Sequence, residues 1–178
     1  MIPASEFKWI LPEIILTGWA LVILLIGGFS KGALSSRISG VLCLVGSFSA
    51  LYCTLNLWGV NLDIFNRLYT IDDYGTFLKV VFLIVLTLVT IVSFRYTERE
   101  GIASGEYYSL LMFGVLGMIV MVSSPHFITI FIGLEVMSLS IYILCGLMRN
   151  NVKSVEASLK YFLLGAFATA FLLYGIAL

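Results

Sequence analysis

The polar residues of this chain fall between apolar stretches that are each about as long as a bilayer is thick, and few other folds can absorb such a pattern. A hydrocarbon core about 30 Å thick needs about 20 mainly apolar residues in a helix. Six such segments can be cut from the sequence, at 9–29, 38–58, 76–96, 107–123, 127–147 and 155–178. Lipid offers no partner to backbone N–H and C=O groups, so only helices or closed barrels span it. Barrel strands alternate apolar and polar residues, and runs such as 80–92 do not. The expected fold is therefore an all-α membrane protein with six transmembrane helices. Three would fall in 1–105 and three in 106–178, with no internal repeat, linker or low-complexity segment.

Composition supports the bilayer as solvent. Hydrophobic residues make up 61% of the chain and charged residues 11%, with a mean hydropathy of +1.09. A soluble domain carries about 25% charged residues, and this chain has too few to cover a globule. Ten basic residues balance ten acidic ones, so no clustered positive surface exists for nucleic acid. Cys43, Cys53 and Cys145 lie in apolar stretches without metal-ligand spacing and read as small packing residues. The first segment reads as a retained helix rather than a cleaved signal, because Glu6 and Lys8 offset each other and the apolar run exceeds a signal core.

The basic residues sort onto alternate loops. Lys31 and Arg37, Arg95 and Arg99, and Arg149 and Lys153 fall on one face, against Lys8 and Arg67 on the other. Asp63, Asp72 and Asp73 sit in the longest loop, between the second and third segments. The positive-inside rule puts the six charges in the cytoplasm and both termini of the chain outside.

Glu135 stands out because it lies eight residues into an apolar segment, about 12 Å below the outer edge. An ionisable group at such depth costs about 2.5–3.5 kcal/mol on insertion scales unless it meets protein, water or a cation. Two readings stand: a helix clamp through Ser138, or a proton or ion relay tuned by a neighbouring charge. Lys160 is about 9 Å from the cytoplasmic edge of the last segment. It can snorkel, pair with Glu156 one turn earlier, or act with Glu135 across a depth difference of about 9 Å. Lys79, three residues into its segment, is a secondary candidate for proton transfer, with snorkelling towards Asp72 and Asp73 the favoured reading. Glu13, just after Pro12, suits the positive start of the first helix. His126 is a secondary proton-exchange candidate or a structural residue of a short turn. Phosphate-loop, zinc-protease and serine-hydrolase signatures are absent from the sequence.

Two motifs narrow the class. Residues 133–142, GLEVMSLSIY, and 156–167, EASLKYFLLGAF, with the opening LPEIIL at 11–16 and the ending AFLLYGIAL at 170–178, closely resemble the subunit N family of proton-pumping NADH:quinone oxidoreductase, respiratory complex I. Its mitochondrial counterpart is subunit 2. The resemblance implies an antiporter-like membrane-arm subunit in a bacterial inner membrane, truncated before its seventh helix. It implies proton translocation coupled to quinone reduction, with Glu135 matching the family's fifth-helix glutamate and Lys160 a sixth-helix lysine. It further implies that this chain binds no cofactor or metal, with NADH, FMN, iron–sulfur clusters and quinone handled by other subunits. The expected partners are other membrane-arm subunits, especially antiporter-like and small helical ones, and the lipid. A subunit of a secondary sodium/proton antiporter and a structural scaffold are the competing readings.

Overall fold

The computed structural model describes residues 4–29, 33–100, 102 and 104–178. Six helices follow one another: α1 (Leu11–Phe29), α2 (Ala33–Leu55), α3 (Asp73–Glu100), α4 (Ser104–Val122), α5 (Phe127–Cys145) and α6 (Val152–Ala177). A 3-10 helix, Ala4–Ile10, leads into α1. All six are long and apolar enough to cross a membrane, as the segment lengths require. Helix α3 outgrows its apolar stretch at both ends, where Asp73 in the first turn and Arg99 in the last complement the helix dipole.

Helix α4 is the hub of the packing, touching α1, α2, α3 and α5. Its Tyr108, Met112, Val115 and Ile119 meet Leu16, Ala20 and Ile23 of α1, Cys43 and Ala50 of α2, and Leu83 and Leu86 of α3 in one dry core. Glycines permit the closest approaches. A Cβ on Gly27 of α1 would sit 2.6 Å from Gly105 Cα of α4, and one on Gly117 of α4 would sit 2.5 Å from the Gly133 carbonyl oxygen of α5. These helix pairs touch backbone to backbone, which lipid-embedded helices achieve with small residues.

Helix α3 also turns hydroxyls inward. Thr87 Oγ1 lies 3.1 Å from Ser47 Oγ, Thr90 Oγ1 lies 3.4 Å from Cys43 Sγ, and Ser93 Oγ lies 2.9 Å from Tyr107 Oη. Each also donates to the carbonyl one turn back, so these groups hold helices together and none is left unsatisfied. Cys43 packs as its sequence context suggests, whereas Cys145 is exposed.

The longest loop is not irregular throughout. It contains an antiparallel hairpin, β1 (Leu62–Ile64) and β2 (Tyr69–Ile71), with Leu62 opposite Ile71 and Ile64 opposite Tyr69. Apolar residues alternate with Asp63 and Thr70 there, a strand signal too short to stand out in sequence. Phe65, Asn66 and Arg67 turn the chain with φ of 53°, 57° and 67°. That left-handed region suits Asn and costs Phe and Arg, so tertiary bonds must hold it. Glu6 Oε2 accepts from Phe65 N–H at 2.9 Å, and the Ser123 carbonyl accepts from Thr70 N–H at 2.7 Å. The hairpin is thus tied to the 3-10 helix on one side and to the α4–α5 turn on the other.

At the opposite end, Arg37 Nε lies 2.6 Å from Glu98 Oε1 and Arg149 Nη2 lies 3.2 Å from Glu106 Oε2. The antiparallel helices gather the described basic loop residues of the richer face at this end; Lys31 lies outside the described residues. Helix α6 packs chiefly on α5. Ser154 and Ser158 donate to the Cys145 and Tyr142 carbonyls at 2.6 and 2.7 Å. Tyr161 and Phe162 set their rings edge-on to Tyr142 of α5, and none of the residues of α6 is buried.

Candidate functional site

Glu135 sits on the third turn of α5, half-buried, with its Oε1 enclosed and without a hydrogen-bond partner. The clamp through Ser138 is therefore not made at that oxygen, although Ser138 is itself buried. An enclosed carboxyl oxygen without a partner carries the full cost of desolvation, and a proton or a cation would relieve it.

Lys160 does not meet Glu135. Ser158 faces α5, and a residue two positions on is turned by about 200° around the helix, so Lys160 points away. Its side chain is 70% exposed and its Nζ lies 2.5 Å from Glu156 Oε1, the local pair that the spacing allows. His126 is exposed just ahead of α5. Its N–H donates to Ser124 Oγ at 3.1 Å and its carbonyl accepts from Ile130 N–H at 3.0 Å, both backbone roles.

Lys79 corrects the snorkelling expectation. Its side chain is 1% exposed and its Nζ lies 3.0 Å from Glu13 Oε1, which is 9% exposed. Nζ also donates to Tyr69 Oη at 2.8 Å and lies 4.9 Å from the Tyr69 ring centroid. The Tyr69 hydroxyl in turn donates to Glu13 Oε1. Asp72 and Asp73, the expected partners, are used by the backbone: Asp72 Oδ1 accepts from Gly75 N–H and Asp73 Oδ1 from Gly59 N–H. Burial first, and then the charge of Glu13, push the Tyr69 phenol well above its ordinary value, so it keeps its proton as a donor.

Three elements build this cluster: α1 brings Glu13, α3 brings Lys79 and β2 brings Tyr69. By sequence alone Glu13 is a helix-end residue, and no pattern singles out Tyr69. The available signal is that Glu13 and Lys79 both lie near the starts of apolar spans, the first and the third, that run in the same direction. Nothing in the sequence aligned them across the loop. Among the described residues, no group of three or more His, Cys, Asp or Glu could hold a metal ion.

Residues 124–178 match the family described as NADH:quinone oxidoreductase/Mrp antiporter, TM. That stretch holds His126, Glu135 and Lys160 and excludes the Glu13, Tyr69 and Lys79 cluster. Over 173 residues the chain is 40% identical to NADH-quinone oxidoreductase subunit N of Trichlorobacter lovleyi, covering 95% of this chain and 34% of that one. It is 38% identical over 178 residues to the subunit N of Paramagnetospirillum magneticum, covering 100% and 36%. Respiratory complex I from Thermus thermophilus contains a chain of like fold, with a TM-score of 0.73 at 28% identity, covering 93% of this chain and 35% of that one. The chain spans about a third of the length of the curated relatives it matches.

Proposed function

We propose, for a chain that shares sequence and fold with subunit N of NADH-quinone oxidoreductase along nearly its whole length, a place in the membrane arm of a bacterial proton-translocating complex I. The hairpin end then faces outward and the arginine end faces the cytoplasm, in keeping with the positive-inside rule. The reacting cofactors lie in other subunits, and this chain's work is electrostatic.

Glu135 carries the reading. It lies within the matched antiporter-type stretch and has an enclosed oxygen without a partner. Charge arriving beside it changes the balance between carboxylate and carboxylic acid, and a proton moves in response. The approaching cation comes from outside these six helices, since the Lys160 ammonium is held by Glu156 on the far side of α6. Lys160 keeps a secondary role, setting the potential along α6. Expected partners are neighbouring membrane-arm subunits and lipid, which would cover the open faces of α6.

The test is Glu135→Gln in the full-length subunit within its complex. NADH-driven proton pumping into vesicles should fall by at least about tenfold, while NADH oxidation by a water-soluble acceptor is unchanged. Undiminished pumping would remove Glu135 from the mechanism. A second reading follows from the family description, which also names the Mrp antiporter. A subunit of a sodium/proton antiporter would exchange these ions across vesicles without NADH or quinone, and the complex I reading expects no such exchange.

A further inference from the structure

The Glu13, Tyr69 and Lys79 cluster lies outside the matched antiporter-type stretch, and the proposed mechanism leaves it unused. Ionisable side chains held inside a membrane span are rare enough to need a reason. A simple clamp would satisfy both carboxylate oxygens. Here Glu13 Oε1 accepts from both Lys79 and Tyr69, whereas Oε2 is enclosed with no partner, so the anion is supported on one side only.

The surroundings give the cluster one way out. Towards the arginine end, Leu16 follows Glu13 by three residues and Leu83 follows Lys79 by four; both are fully buried, as are Ala20 and Ile23. The hydroxyls alongside these apolar residues, Thr17, Thr54 and Thr87, have their protons engaged by the carbonyls of Glu13, Ala50 and Leu83, one turn back in their own helices. Towards the hairpin, Tyr69 is itself 8% exposed, the Ser123 carbonyl accepts from the N–H of the next residue, Thr70, and Ser124 is partly open to solvent. The other charged groups at this end are engaged elsewhere. Glu6 holds Phe65 N–H, Asp63 pairs with Arg67 at 3.5 Å, and Asp72 and Asp73 hold Gly75 and Gly59. Lys8 lies over the Trp9 ring. The only charged residues of α2 and α4, Arg37 and Glu106, lie at the far end.

We propose that Glu13, Tyr69 and Lys79 form a proton-exchange site that opens only to the hairpin side of the membrane. A proton from water on that side passes to the Tyr69 hydroxyl, and the proton Tyr69 already holds moves to Glu13 Oε1. One O–H bond forms on Glu13, and the bond given up by Tyr69 is replaced from outside. Glu13 becomes neutral and the Lys79 ammonium is held by the phenol oxygen and ring. Reversal returns the proton to the same side and restores the ion pair.

The inference rests on these residues alone, and its readout needs neither NADH nor quinone. The experiment is infrared spectroscopy of the full-length subunit, carrying 13C-labelled glutamate, in lipid membranes during a downward step of bulk pH. A carboxylic-acid band should rise as pH falls and be missing in Glu13→Gln. Glu13→Asp, which keeps an acid but loses the glutamate label, gives a second assignment. In Tyr69→Phe, which keeps the ring and the direct ion pair, the same band should rise at least about tenfold more slowly. Absence of any Glu13-dependent acid band, or equal rates in Tyr69→Phe and the parent, overturns the proposal.

Discussion

Lys79 Nζ lies 3.0 Å from Glu13 Oε1, joining α3 to α1 through an ion pair in which neither side chain is more than 9% exposed. The two residues are far apart in sequence, and the hairpin between them supplies Tyr69 to the same carboxylate oxygen. Removing one partner strands the other charge in a place that water does not reach.

Lys79→Met alone should destabilise the subunit by about 3–5 kcal/mol, because Glu13 is left buried and unpaired. The double change Glu13→Gln with Lys79→Met should recover most of that loss. Thermal unfolding in detergent, run as a double-mutant cycle, checks the coupling; a double variant no better than the single one would remove the ion pair as the cause.

The alkaline limit of stability should depend on Tyr69. Its phenol is raised in the folded state well above its ordinary value of 10.0, so above about pH 10 the unfolded chain releases this proton while the folded one retains it. The contribution is fully present below the unfolded value and is lost as pH rises towards and through the folded value. Tyr69→Phe should flatten this part of the melting temperature against pH profile, and an unchanged slope would show that other groups set it.

Gly117→Leu should separate α4 from α5. A Cβ there would already lie 2.5 Å from the Gly133 carbonyl oxygen and 2.6 Å from Met137 N, atoms that cannot step aside. The expected cost is at least about 2 kcal/mol, read as lost thermal stability. Because α5 carries Glu135, proton pumping should fall with it. Gly18→Leu is the matched control, since a Cβ at Gly18 meets nothing within 4 Å.

Lys160→Ala should leave stability within about 0.5 kcal/mol of the parent, since its pair with Glu156 is exposed and local. A larger loss in proton pumping than in stability would mark a role for its charge in the longer protein. Equal small effects on both would leave it as a surface pair.

Membrane-span number was legible because it depends on segment length and hydropathy, and lipid as a solvent imposes both on each segment separately. The charge sorting, the placing of Glu135 inside an apolar helix and the motifs around it are likewise properties of the chain in one dimension. The tertiary structure decided the rest. Lys160 turns away from Glu135 because the small residues Ser154 and Ser158 fix which face of α6 meets α5. Lys79 is buried against Glu13, not raised to the interface, because α1, α3 and the hairpin close around it. Hydropathy measures how deep a residue can lie, but its partner depends on helix rotation and on which backbones approach. Those are set by glycine contacts such as Gly27 with Gly105 and Gly117 with Gly133, which bring distant parts of the sequence together.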